Sequence, residues 1–175
     1  MLVHKLREFE GLYDDEFQIQ AGFSQQDVSY RLEFRLSGPL EKLLIPPKAQ
    51  APRFRDELWK RTCFEAFLGN KDSDAYWEFN FSPSRDWAIY RFKSYRERIE
   101  IDQLELIDLV IQQERYPGDL ILKIDIKPKD LFKVDRVGLT TVLEHASQKT
   151  SYWALTHARE KPDFHAPESL IVSNF

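Results

Sequence analysis

Several things that commonly announce a function are missing from these 175 residues. A single cysteine, Cys63, rules out an internal disulfide framework. The only methionine is Met1. No GxSxG, P-loop or GxGxxG pattern occurs, so the familiar nucleophile-elbow and phosphate-cradling signatures are absent. No window approaches a membrane span, and the N-terminal MLVHKLREFEGLYDDEFQ has no apolar h-region; on those grounds the expected location is the cytoplasm and no membrane contact is expected. The net charge is only −4, with Lys and Arg dispersed among Asp and Glu. No basic stripe therefore supports nucleic-acid binding. Amphipathic helical patterns are scarce, and neither a repeat nor a linker divides the chain, so one domain spanning residues 1–175 is expected.

What the chain does have is aromatic residues, 14% of the total, within a hydrophobic content of 42% that describes a globular protein. They concentrate between Asp56 and Tyr95, where three of the four tryptophans fall. Read at period two, this stretch predicts three strands. In Thr62–Leu68, Phe64, Ala66 and Leu68 point one way, with Cys63, Glu65 and Phe67 opposite. In Tyr76–Phe81, Trp77, Phe79 and Phe81 form an apolar face, backed by Tyr76, Glu78 and Asn80. Pro83 separates the third strand, Asp86–Phe92, because proline cannot donate to a ladder.

Elsewhere the same alternation predicts a first strand containing Phe17, Ile19, Ala21 and Phe23. A second, Val28–Leu36, has Val28, Tyr30, Leu32, Phe34 and Leu36 facing in and Ser29, Arg31, Glu33 and Arg35 facing water. Three prolines in residues 40–55 predict an extended connection across one end. Residues 96–105 are charged and read as an exposed strand or loop. Leu106–Gln113 and Asp119–Lys127 form a hairpin about Tyr116-Pro117-Gly118-Asp119, the chemistry of a type II turn. Pro128–Phe132 suits a helical turn. Val137–His145 reads as helix or strand, its β-branched residues favouring strand. Ser151–Thr156 and Leu170–Val172 complete the set. Many short strands with hardly any helix predict an all-β, antiparallel sandwich of immunoglobulin or jelly-roll type.

Three blocks, DELWKRTCFEAFL, YWEFNFSPSRDWAIYRFKSYR and SYWALTHAREKPDFHAPESL, resemble DOMON-like domains related to family 9 carbohydrate-binding modules. They cover under half of the chain. The resemblance implies a β-sandwich that binds a ligand, sugars and haem being those known across the superfamily. The methionine–histidine haem ligation of that superfamily cannot be carried over, because Met1 is the only methionine; bis-histidine ligation from His4, His145, His157 or His165 stays open, but there is no CxxCH motif, and no cofactor is expected.

Two constellations are candidates for binding. In the first, Tyr76, Glu78 and Asn80 share a strand face, Glu65 joins them if the strands pair in register, and Trp87 and Arg91 are co-facial on the next strand. Flat rings, carboxylates, amides and guanidinium groups together suit a saccharide. The competing account puts Trp87 in the core and pairs Glu65 with Arg91 across strands. The second comprises Trp153, His157, Asp163 and His165, a strand end followed by a Pro-Asp-x-His loop. There the competing account has Asp163 and His165 tying the loop to backbone, and two histidines do not by themselves make a metal site. Glu65 and Glu78 also invite comparison with a glycosidase pair, but catalysis has no other support. The expected function is a non-catalytic module for a small carbohydrate or related polar ligand. A structural or protein-interaction role for the same face is the alternative.

Overall fold

In the computed structural model, which describes residues 1–13, 15–101, 107–129 and 132–172, period-two alternation builds two antiparallel sheets facing each other across a shared core. The first sheet has the order β1 (Leu2–Lys5), β3 (Gln18–Gln25), β4 (Tyr30–Ser37), β10 (Asp119–Pro128) and β9 (Ile107–Tyr116). The second runs β2 (Arg7–Glu8), β12 (Thr150–Ala154), β11 (Arg136–Glu144), β5 (Cys63–Gly69), β6 (Tyr76–Phe81), β7 (Trp87–Ser94) and β8 (Glu97–Ile99), with β13 (Ile171–Val172) paired to β11. The all-β sandwich is thus as expected.

The first sheet shows why alternation decides the architecture. On β4, Tyr30, Leu32, Phe34 and Leu36 are fully buried, while Arg31 and Arg35 point to water. On β10, Leu120, Leu122, Ile124 and Ile126 do the same. From the second sheet they meet Phe64, Ala66, Leu68, Phe79 and Phe81, and the Phe34 and Phe64 rings lie 5.3 Å apart. Burying each such side chain stabilises the fold by about 1.5–3 kcal/mol.

Local details depart from the sequence reading at a few places. β4 begins at Tyr30, leaving Val28 60% exposed before it, because Gln26 and Ser29 close a turn there. The polar N-terminus contributes two strands, β1 and β2, that its composition did not announce. Residues 137–144 are strand, paired on one side with β5 and on the other with β12 and β13. Gly118 has φ +77°, the left-handed value that the third position of the expected type II turn requires. Leu106, Asp130 and Leu131, parts of the predicted hairpin and helical turn, and residues 102–105 of the charged stretch lie outside the described residues.

One strand breaks the pattern in a way that matters. Every residue of β5 is buried, on both faces. Its second face is covered by a 3-10 turn at Leu58–Lys60 and by the segment after β12, which brings Phe164 and Leu170 over the sheet. Leu58, Cys63, Phe67, Tyr76, Ala88, Tyr90, Phe92 and Leu170 make a second, smaller apolar cluster there, outside the sandwich.

Candidate binding site on the outer face of the second sheet

The outer face is assembled by register. Glu65 on β5 is opposite Thr140 of β11 on one side and Asn80 of β6 on the other; Phe67 is opposite Glu78; Glu78 is opposite Tyr90; Phe92 is opposite Arg98. Directly opposed residues of antiparallel strands project to the same side. Five strands thus place two carboxyls, three rings and a guanidinium on one surface. Above it, the covering segments leave a cleft of about 520 Å³ lined by, among others, Trp59, Glu65, Glu78, Tyr90, Phe164 and His165.

The walls are held by specific bonds. The Tyr90 hydroxyl donates to the Asp56 carboxylate and accepts from the Glu57 N–H. This fixes the start of the 3-10 turn, where Glu57 adopts φ +61°, and sets Trp59 edge-on to Tyr90 at 5.5 Å. On the opposite side, Arg96 (φ +56°) turns the chain between β7 and β8 and donates its backbone N–H to the Tyr76 hydroxyl. Its guanidinium bonds Asp163 at 2.9 Å, and Asp163 also accepts from the Tyr95 hydroxyl. That cluster pins the covering segment to the sheet. Next to it, His165 Nδ1 lies 2.8 Å from the Tyr76 hydroxyl, and its ring meets Phe67 and Phe92 edge-on.

The floor is electrostatically costly. Glu78 Oε1 accepts from Asn80 Nδ2 at 2.7 Å, and Glu65 Oε2 accepts from Thr140 at 3.2 Å. Glu65 Oε1 is buried and has no hydrogen-bond partner among the described residues. Burial raises the Glu78 carboxyl to about 7, opposed by the Asn80 bond and by the charges of Arg98 and Arg96. Burial, reinforced by the charge of Glu78, raises Glu65 well above the usual carboxylate range. His165 goes the other way, to about 4, because burial and then Arg96 disfavour its cation. With its Nε2 3.6 Å from Glu78 Oε2, it faces the pair as a neutral ring near neutral pH.

The ten residues singled out in the sequence divide. Glu65, Glu78 and His165 line the cleft. Tyr76 and Asn80 share the face but stand behind it: Asn80 is fully buried and holds Glu78, and Tyr76 holds His165. Asp163 anchors the covering segment through Arg96 and Tyr95 and also accepts the His165 N–H, partly the tying role of the competing account.

Four residues stand away from it. Trp87 and Arg91 project to the opposite side of the sheet, because Trp87 is opposite Phe81 and Arg91 opposite Trp77, both core-facing. Trp87 packs on the core, and Arg91 lies over the Trp77 ring at 5.3 Å. Trp153 is fully buried between the sheets, its indole N–H donating to Ser151. His157 is bonded to the Arg7 carbonyl beside Phe9, and so sits at the β2 edge.

Trp59, Lys60, Tyr90, Arg96, Arg98 and Phe164 are among the further lining residues that were not anticipated, as is Phe92. A signal for Tyr90 and Phe92 was available. The five-residue loop Ser82–Asp86 pairs Phe81 with Trp87, which puts the even-numbered β7 residues on the Glu78 side.

No family profile matches the chain, and no curated protein does. Among solved structures, the fold is similar to that of a Bacteroides uniformis protein provisionally described as carbohydrate-binding. The identity is 13% and the TM-score 0.66, over 97% of this chain and 84% of that one. A family 9 carbohydrate-binding module from Caldicellulosiruptor kristjanssonii, solved with glucose, aligns at 9% identity and a TM-score of 0.47, over 78% of this chain and 66% of that one. At these identities the likeness is one of fold: a two-sheet β-sandwich.

Proposed function

We propose that this protein is a non-catalytic binding module that takes a small saccharide or related polar ligand into the cleft on the outer face of the second sheet. A shared sandwich does not fix a ligand. What carries the proposal is a buried carboxyl oxygen, Glu65 Oε1, without a partner among the described residues, in the floor of a cleft walled by aromatic rings. Leaving a polar atom buried and unpaired costs about 1–3 kcal/mol, a cost a ligand hydroxyl would relieve. Trp59, Tyr90 and Phe164 offer ring surfaces for the apolar faces of a sugar. A protein partner, the alternative use of this face, would be better served by a flat apolar patch than by a recess with two carboxyls at its base.

The test is Glu78→Gln with a screen of mono- and disaccharides read by thermal shift. Because burial already disfavours the Glu78 charge, the neutral isostere should melt at the wild-type temperature or higher. It should also lose the shift that a bound saccharide produces in the wild type by mass action. A screen without any shift, or a variant that melts much lower, would sink the proposal.

A further inference from the structure

The cleft has two electrostatic zones. Its floor carries the Glu65 and Glu78 carboxyls; its mouth carries Lys60, Arg96 and Arg98. Lys60 is engaged by Glu57, and Arg96 by Asp163. Arg98 differs: among the described residues it makes no ion pair, and its guanidinium rests 4.3 Å from the centre of the Tyr90 ring. Register keeps it there, since Arg98 is opposite Phe92 on the same face. It is an exposed arginine lying over a ring in the wall of the cleft, and among the described residues its hydrogen-bonding fork is committed to no carboxylate.

From this we infer that the ligand is an anionic saccharide: its hydroxyls meet the Glu65–Glu78 floor and its carboxylate or phosphate meets Arg98 at the mouth. This rests on the saccharide reading above and narrows it. Each simpler ligand leaves one zone unserved. A neutral sugar would satisfy the floor but leave the Arg98 fork unused. A bare inorganic anion would find Arg98 but would leave Glu65 Oε1 unpaired. A cation would have to pass three basic side chains to reach a floor whose carboxyls burial keeps largely uncharged. Only a molecule with donor hydroxyls at one end and an anion at the other matches both, and a planar guanidinium binds carboxylate and phosphate alike, in bidentate fashion. The shared chemistry is therefore an anionic group attached to a hydroxylated ring, with a uronic acid and a sugar phosphate as its two sources.

The experiment is calorimetric titration of the whole protein at pH 7 and low salt. The probes are glucose, galactose and mannose, their uronic acids, their 6-phosphates, and inorganic phosphate alone. In each set the charge sits on the same carbon, so ring and anion are compared at fixed geometry. We expect at least one charged sugar to bind about tenfold or more tightly than its neutral parent, with the advantage fading as salt rises. Arg98→Gln should bring that sugar down to the affinity of its parent, and Arg98→Lys should restore only part of the gap. Whichever charged series binds tighter, uronic acid or phosphate, names the source. Equal affinity for charged and neutral sugars would overturn the anionic assignment and leave the saccharide reading standing. Inorganic phosphate binding as tightly as a sugar phosphate would overturn it too, since the ring would then contribute nothing. Silence from every probe would overturn both.

Discussion

The two outer faces of this sandwich are built from the same kinds of residue and end in opposite states. On the first sheet, charged residues alternate with core residues and neutralise one another across strands: Arg31 with Asp125, Arg35 with Asp119, Lys123 with Glu114. All are in contact with water. On the second sheet, Glu65 and Glu78 occupy equivalent outward positions, yet both are about as buried as core residues. The difference is not in the strands. A 3-10 turn and the segment following β12 lie over one face and not the other, and they convert a solvated row of charges into a cleft. Alternation tells which residues leave the core; what receives them on the far side depends on chain that is distant in sequence.

The contrast can be tested most forcefully within one strand. Phe79 faces the core and its neighbour Glu78 the cleft. Phe79→Ala should cost about 3–5 kcal/mol in urea denaturation. Glu78→Gln, one residue away, is expected to cost nothing. A loss below about 1 kcal/mol for Phe79→Ala would mean that the faces of β6 are reversed.

Titration gives the next largest effect, with opposed signs. Glu78 has its carboxyl raised from 4.5 to about 7, so the stability its neutral form confers is present below about 4.5 and is lost as pH rises towards 7. Glu65, raised by burial and then by the charge of Glu78, adds to that fall. His165, lowered from 6.5 to about 4, contributes stability that is present above 6.5 and lost as pH falls towards 4. Between pH 5 and 8 the wild type should therefore lose stability with rising pH, the loss partly masked below 6.5 by His165. Urea midpoints across this range should flatten in Glu78→Gln, by up to about 3 kcal/mol. They should steepen below pH 6.5 in His165→Gln. Parallel curves for all three proteins would place both groups in water.

The smallest effect belongs to the first sheet. Arg31→Ala removes a solvated pair at 2.8 Å. It should move the melting temperature by less than about 2 °C, since exposed pairs contribute little. A larger drop would show that this face, too, is more than a solvated surface.

Much of the fold was legible because period-two alternation is a local property. The faces of β5 and β6, the turn at Gly118 and the alternation on β4 follow from neighbouring residues alone. The site was legible only in part. Glu65 and Glu78 could be brought together because one polar turn joins their strands. Trp87 and Arg91 were assigned the wrong side because the parity of β7 depends on how a five-residue loop closes, and a tryptophan beside an arginine looks like a binding pair. Trp153 reads the same way in sequence, yet it fills the core next to Ser151. Trp59, Arg98 and Phe164 come from a turn, a short edge strand and the covering segment. None of these has a periodicity that points to the cleft; only the tertiary path of the chain brings them there.

Cys63 sits directly beneath this arrangement, fully buried, with its thiol donating to Asn80 Oδ1 at 3.5 Å while Asn80 holds Glu78. Burial, with the neighbouring charge of Glu65 after it, disfavours the thiolate, so the sulfur is inert as long as the floor stays closed. Its chemistry is therefore governed by a clock rather than by an affinity. An alkylating reagent can reach it only through a local opening of the fold, so the rate at which this lone thiol is labelled reads how often the floor opens.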